Sequence, residues 1–122
     1  MAESIVIICE ESPIGKNSVI ESIRMATGIL AVGDIENCKV ILMGDAIYFF
    51  NRNLNPEILN IDKFSDIMRL IDFSEIEIYV LDEALNVAGM DHSDLISYDH
   101  LKVVNMNDVS KLILEADMCF RY

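Results

Sequence analysis

The sequence contains few basic residues, only two prolines and no tryptophan. Nine Lys and Arg stand against 21 Asp and Glu, which gives the 122 residues a formal charge of −12. Such an acidic surface repels phosphates, and no cluster of basic residues offsets the repulsion locally, so a direct nucleic-acid partner is not expected. Apolar residues make up 52% of the chain, which excludes a disordered polypeptide and predicts a single domain over residues 1–122.

Long apolar runs and a cysteine framework are also absent from the sequence. No stretch approaches the roughly 18 apolar residues of a membrane helix, so no membrane segment is expected. The start, Met1 to Ser4, lacks the positive flank of a secretory signal. Cys9, Cys38 and Cys119 form an odd and scattered set without CxxC spacing, which predicts a reducing, cytoplasmic environment rather than a disulfide scaffold.

Motifs for a metal or a cofactor are missing as well. His92 and His100 have no second His or Cys at ligand spacing. The segment from Glu10 to Lys16 contains neither GxGxxG nor GxxxxGKS/T, and its two glutamates would repel a phosphate. We therefore expect neither a metal nor a cofactor.

What the sequence does contain is an alternation of strand and helix patterns. Five apolar runs have the composition of buried parallel strands: Ile5–Cys9, Val40–Met43, Ile76–Leu81, Leu101–Val104 and Met118–Tyr122. The first helix is predicted to be capped by Asn17 or Ser18 and to run to about Val32, with Gly33 as its terminator. The last helix is predicted to be capped by Asn107. This alternation predicts a three-layer α/β domain, with a five-stranded, mainly parallel sheet and helices on both faces.

The candidate site consists of the residues that follow each strand, because ligands bind beyond the carboxyl ends of the strands in such sheets. These residues are Glu10, Ser12, Pro13, Gly15, Gly44, Asp45 and Asp82. Cys9 is the only thiol predicted at this edge and is the candidate nucleophile. Glu10 and Glu11 would raise its pKa by like-charge repulsion, and the alternative interpretation of Cys9 is a small apolar residue of the core.

The acidic residues at these strand ends allow a second interpretation of the site. Glu10, Glu11 and Asp82 resemble the acidic pocket of a CheY-like response-regulator receiver, in which acidic residues hold magnesium and an aspartate after strand three accepts phosphate. Length and strand order suit that comparison. A receiver also needs a Ser or Thr after strand four and a Lys after strand five, and the sequence has Asn105 at the first of these positions.

Two features predict a contact with another subunit. The first helix carries two apolar stripes, although burial against one sheet requires only one, and Met25, Ile29 and Val32 form the second stripe. Tyr48 and Phe49 lie in a run of consecutive aromatics that cannot all point inward from one helical turn. These five residues are the predicted interface.

Several motifs occur in the order and spacing of a known family, over essentially the whole chain. A small-Pro-x-Gly turn follows strand one, a Gly-Asp segment follows strand two, and strand three leads into a helix with a Leu and a later Gly. The terminus has an acidic residue before an Arg and an aromatic residue. The segments are Ser12–Gly15, Gly44–Tyr48, Tyr79–Gly89 and Ala116–Tyr122. The chain resembles the DsrE/DsrF-like proteins, and in particular the DsrF/TusC-like branch.

The resemblance implies a flavodoxin-like fold and assembly into trimers or hexamers. The partners would be copies of the chain, or DsrE- and DsrH-like subunits. Such complexes relay sulfane sulfur as a cysteine persulfide, which requires a thiolate that attacks an incoming sulfur and passes it on. Family members carry that cysteine around the end of strand three, where this sequence has Val80 and Leu81.

This difference from the family predicts the role of the chain. Without the cysteine of strand three, the chain is expected to be a structural, non-catalytic subunit of a sulfur-relay complex, acting by association. Two alternatives remain open. One is a sulfurtransferase that uses Cys9 as its persulfide carrier, and the other is a receiver-like signalling domain with Asp82 as phosphoacceptor.

Overall fold

Helices and strands alternate along the chain as the sequence pattern predicts. The structure is a computed structural model that describes residues 4–33, 37–54 and 64–122. Its elements are β1 (Ser4–Cys9), α1 (Ser18–Val32), β2 (Asn37–Leu42), a 3₁₀ helix (Gly44–Phe50), α2 (Phe64–Ser74), β3 (Glu77–Leu81), α3 (Asp82–Ala88), a 3₁₀ turn (His92–Asp94), β4 (Leu101–Val104), α4 (Met106–Glu115) and β5 (Met118–Arg121). Across the described ranges, no helix has the length and apolar character needed to cross a membrane.

The five strands form one sheet in the order β4-β3-β2-β1-β5, and every neighbouring pair is parallel. Ile7 of β1 pairs with Val40 of β2 on one side and with Phe120 of β5 on the other. From β1 the chain steps through β2 and β3 to β4 in one direction, and then returns past β1 to β5. Right-handed crossovers therefore put α1, α2 and α3 on one face and α4 on the other. The predicted α/β fold is confirmed, and the sheet is wholly parallel.

Alternate residues of β1 to β4 contribute to two separate cores. Ile7 and Val40 belong to the larger core, which α1, α2 and the 3₁₀ helix cover. Val6 and Ile41 point to the opposite face and pack in a smaller core with Val109 of α4. The central strands are thus buried on both faces, which explains why their sequences are unbroken apolar runs.

The ends of α1 and α4 are set by single residues. Gly33 ends α1 with a φ of 87°, a left-handed conformation that glycine adopts without strain. Asn17 precedes α1 as predicted, but its side chain makes no capping hydrogen bond to the described backbone. The prediction that Asn107 caps the last helix is wrong. Asn105 takes that position: its side chain accepts from the Asp108 N–H at 2.8 Å, and the Asp108 carboxylate accepts from the Asn105 N–H.

Candidate functional site

A cleft opens at the carboxyl ends of β2 and β3, where the sequence pattern places part of the candidate site. It lies between the 3₁₀ helix and α3 and has a volume of about 350 Å³. Its lining is mostly apolar and consists of Gly44, Asp45, Tyr48, Leu81, Glu83, Ala84, Val87 and Ala88. Of the predicted strand-end residues, Gly44 and Asp45 line this cleft.

The geometry of the 3₁₀ helix decides which of its side chains reach the cleft. With three residues per turn, side chains three positions apart lie in one row along the helix. Asp45 and Tyr48 form the row at the cleft, whereas Phe49 and Phe50 belong to the two rows that face the core. The two phenylalanine rings meet edge to face, with their centroids 5.0 Å apart and their planes at 84°.

The predicted interface is only partly accessible. Phe49 is 1% exposed, so its assignment to the interface is wrong: the inward rows of the 3₁₀ helix bury it. Tyr48 is the half-buried, outward member of the aromatic run. Met25 and Ile29 are half-buried against the core of their own chain, and Val32 is 72% exposed. Part of the second stripe of α1 therefore packs against the core of its own chain.

The loops after β1 and β2 are joined by backbone hydrogen bonds at the rim of the cleft. The Met43 N–H donates to the Cys9 carbonyl at 2.9 Å, and the Asp45 N–H donates to the Glu10 carbonyl at 3.2 Å. A Cβ on Gly44 would lie 2.9 Å from the Glu10 carbonyl oxygen, and the φ of Gly44 is 49°. Glycine fits this close approach, and any larger residue would displace the backbone.

Gly44→Ala is expected to destabilise the protein more than Gly15→Ala. Both glycines have a positive φ, so an alanine at either position costs about 1–2 kcal/mol for the left-handed backbone. No described atom lies within 4 Å of a Cβ on Gly15, whereas a Cβ on Gly44 meets the Glu10 carbonyl. The difference between the two free energies of unfolding, measured in urea, isolates the close contact between the loops. Equal losses would contradict that contact.

The loop after β1 is held by its own side chains. Ser12 Oγ accepts a hydrogen bond from the backbone N–H two residues later at 3.1 Å, and Pro13 is buried. Ser18 Oγ donates to the Glu11 carboxylate at 2.7 Å, and Lys16 Nζ lies 3.6 Å from the same carboxylate. The hydrogen bond from Ser18, and then the charge of Lys16, hold the pKa of Glu11 below its ordinary value. Ser12 and Pro13 thus shape the loop and do not line the cleft.

Glu10 and Asp82 lie beside different basic side chains. Nη2 of Arg121 in β5 lies 2.6 Å from the Glu10 carboxylate. Asp82 begins α3, and its carboxylate lies 3.6 Å from Nε2 of His92. Each carboxylate therefore has a basic side chain beside it rather than a second carboxylate.

The strand order contradicts the comparison with a receiver. Because β2 lies between β1 and β3, the ends of β1 and β3 are two strand spacings, or about 9–10 Å, apart. Glu10 and Asp82 follow these two ends and do not form one acidic pocket. In the part of the chain that the structure describes, no group of three His, Cys, Asp or Glu side chains is placed to hold a metal ion. The expectation that the strand order suits a receiver is wrong.

None of the three cysteines, all of which lie in described segments, lines the cleft. Cys9 is 0% exposed, and burial raises the pKa of its thiol. Hydrogen bonds with the Glu11 backbone and with Ser22 lower this pKa, but they offset the effect of burial only in part. Cys38 is also buried, and burial raises its pKa to about 11. Cys119 is exposed on the edge strand β5. Buried thiols with raised pKa values are poor nucleophiles, which favours the interpretation of Cys9 as a core residue.

Comparison with known proteins identifies the family of this fold. The model of the DsrE/DsrF-like family matches residues 3–121. The chain belongs to the DsrE/DsrF-like family. Membership of this family suggests a function related to sulfur relay. No curated protein sequence matches the chain significantly.

Two solved structures share the α/β fold of this DsrE/DsrF-like chain. The ychN protein from E. coli has a TM-score of 0.80 at 18% identity, over 98% of this chain and 99% of that chain. MTH1491, a protein of unknown function from Methanobacterium thermoautotrophicum, has a TM-score of 0.70 at 15% identity, over 98% of this chain and 97% of that chain. At these identities, the likeness establishes the fold alone.

The end of β3 is the place around which DsrE/DsrF-like family members carry their cysteine. Val80 is fully buried in the larger core. Leu81 is 5% exposed and lines the cleft. The Leu81 side chain also packs in the smaller core, and the tip of β3 carries no thiol.

Sequence reasoning missed Ala84, Val87 and Ala88 of α3, which line the cleft. The Glu83 carboxylate accepts a hydrogen bond from the backbone N–H of Met106 at 3.2 Å, which ties α3 to the start of α4. Ala84 and Val87, three residues apart on α3, form its apolar wall of the cleft. An apolar valine on the outer face of a short helix was the one signal that could have indicated this wall, and Val87 is 90% exposed.

Proposed function

We propose that the chain is a DsrF/TusC-like subunit that takes part in an oligomeric sulfur-relay complex by association and does not itself carry the sulfur. The observation that carries this proposal is the apolar cleft at the ends of β2 and β3, where Leu81 occupies the tip of β3. A persulfide carrier needs a thiolate that an incoming sulfur atom can reach. Leu81 offers neither a charge nor a nucleophile.

The positions of the cysteines support the same proposal. Cys9 and Cys38 are buried and have raised pKa values, so both are protonated and shielded at neutral pH. Cys119 is exposed, but β5 lies three strands from β3 in the sheet, or about 14 Å away at the usual strand spacing. A sulfur atom on Cys119 would therefore be remote from the cleft.

The partners that we propose are copies of the chain, or DsrE- and DsrH-like subunits, in a cytoplasmic trimer or hexamer. The cleft combines an apolar lining with the acidic side chains of Asp45 and Glu83. It suits a partner segment that presents an apolar side chain next to a basic one. The charge of −12 would keep the assembled particle soluble.

Sulfur uptake tests the non-carrier role directly. The Cys119→Ser variant, which lacks the exposed thiol, is incubated in its native state with inorganic polysulfide, and its intact mass is measured. We expect no addition of a sulfur atom, because the two remaining thiols are buried. The same variant unfolded in urea is the control and is expected to gain mass, which shows that the reagent is active.

A sulfur atom on the native Cys119→Ser variant would contradict the proposal. If that atom is absent from the Cys9→Ser, Cys119→Ser double variant, Cys9 is the carrier and the sulfurtransferase alternative replaces the proposal.

Acetyl phosphate with magnesium tests the receiver-like alternative. It is expected to leave the mass of the wild-type protein unchanged, since Glu10 and Asp82 lie at the ends of strands that are not neighbours.

A further inference from the structure

The outer surface of α1 and α2 carries a protruding aromatic ring beside an apolar hollow. Phe73 of α2 is 89% exposed. Next to it, a hollow of about 400 Å³ opens between the two helices, lined by Arg24, Thr27, Gly28, Leu30, Ala31, Leu70, Phe73 and Ser74. A large exposed ring beside an apolar concave surface is typical of a protein–protein contact site, because exposing apolar surface to water is unfavourable.

The hollow exists because α1 has small residues where it borders α2. Thr27, Gly28 and Ala31 leave space that longer side chains would fill. No described atom lies within 4 Å of the point where a Cβ on Gly28 would lie. Glycine destabilises the interior of a helix relative to alanine, so its presence here is unfavourable for the isolated chain. The open space suits a side chain that comes from outside.

Charged side chains of both signs surround the ring and the hollow. Arg24 of α1 lines the hollow, and Asp66, Arg69 and Asp72 lie around Phe73 on α2. On a chain with a charge of −12, most other surfaces would present like charge to a second copy. Arg24 pairs with Glu21 of its own helix at 3.4 Å, and Arg69 of each copy can lie opposite the aspartates of the other.

We propose that a second copy of the chain docks on this surface, with Phe73 of each copy seated in the hollow of the other. The ring and the hollow lie on the same face, which is the arrangement that an isologous two-fold contact requires. The proposal deepens the proposed function and rests on its association step, because it names one surface through which the subunit assembles. It leaves the cleft at the ends of β2 and β3 free for another partner.

Particle mass in solution tests the docking surface. A two-fold contact joins particles in pairs, so its loss halves the mass where no other contact joins the same two halves of the assembly. Light scattering at micromolar concentration is expected to give a wild-type mass of at least twice the chain mass of 13.8 kDa, and half the wild-type mass for Phe73→Glu. Leu114→Glu is the matched control, since Leu114 is 84% exposed on α4 at the opposite face of the sheet, and its mass is expected to equal that of the wild type.

Gly28→Leu tests the hollow independently of the ring. A side chain at Gly28 meets no described atom at its Cβ, so leucine can be accommodated in the single chain and fills the hollow. We expect a halved particle mass. The melting temperature is expected to equal or exceed that of the dissociated Phe73→Glu variant, because leucine favours a helix more than glycine does. A loss of assembly in this variant is therefore not a loss of folding.

The possible outcomes separate the docking surface from the wider proposal. A wild-type mass of a single chain overturns the docking of a second copy, and if partner subunits also fail to bind, the proposed association fails with it. A wild-type oligomer whose mass is unchanged in both Phe73→Glu and Gly28→Leu overturns the docking surface alone. A halved mass in Leu114→Glu also overturns it, because the loss would then not depend on the ring and the hollow.

Discussion

Phe50→Ala is expected to lower the free energy of unfolding by about 3–5 kcal/mol. Phe50 is 0% exposed and packs edge to face against Phe49 in the larger core. Among the described residues, no side chain caps the start of the 3₁₀ helix that carries it. Hydrogen bonds of 3₁₀ helices have poor geometry, so the inward side chains hold this helix in place. Since domains are stable by about 5–15 kcal/mol, the loss is a large fraction of the total. Urea unfolding followed by circular dichroism measures it.

Tyr48→Ala is the matched control in the same 3₁₀ helix. Tyr48 lies in the outward row with Asp45 and is half-buried at the cleft, so its truncation leaves the larger core intact. We expect a clearly smaller loss of stability than for Phe50→Ala. Equal losses would mean that the rows of the 3₁₀ helix are not divided between core and cleft as the structure has them. The cleft depends on this division, because the inward rows position Asp45 and Tyr48.

The fold class could be predicted because strands buried on both faces have a local sequence pattern. Runs such as Ile5–Cys9 and Ile76–Leu81 lack the two-residue period of a strand with one exposed face, and Gly33 marks the end of α1. The strand order is not local. A right-handed crossover can add the next strand on either side of the previous one, with the helix on the corresponding face. The comparison of Asp82 with a receiver failed at this step, because β2 and not β3 lies beside β1.

The candidate site could be predicted only as a set of strand ends. Gly44 and Asp45 lie at the cleft because β2 ends just before them. The inward position of Phe49 depends on a helix with three residues per turn, which the sequence does not distinguish from an α-helix over so short a segment. Val87 was missed because α3 has only seven residues, too few for a stripe that indicates which side faces a neighbouring loop.

Alkylation of the folded protein by iodoacetamide is expected to modify Cys119 at least about 1,000-fold faster than Cys9. Cys119 is exposed on the edge strand β5. Cys9 lies in the larger core at the carboxyl end of β1, so the reagent reaches it only through an opening close to global unfolding. Cys38 is also buried in this core, but it lies at the start of β2 and lines an open hollow of about 430 Å³, so it is expected to react at an intermediate rate. Every 1.4 kcal/mol of opening free energy slows the reaction by about a factor of ten. Timed alkylation followed by peptide mapping gives the three rates, and the urea-unfolded chain, in which all three thiols react, is the control.

Raising the pH from about 9 to about 11 is expected to reduce this protection. Burial raises the pKa of Cys38 to about 11 and also raises that of Cys9, so both thiols ionise at lower pH in the unfolded chain than in the folded one. Above the ordinary thiol pKa, ionisation therefore favours the unfolded state. The free energy of unfolding falls as the pH rises from that pKa to the higher pKa of the folded state, so the buried thiols are labelled faster. Labelling of Cys9 at neutral pH at a rate close to that of Cys119 would contradict both results. It would place an accessible thiol at the end of β1 and restore Cys9 as the candidate sulfur carrier.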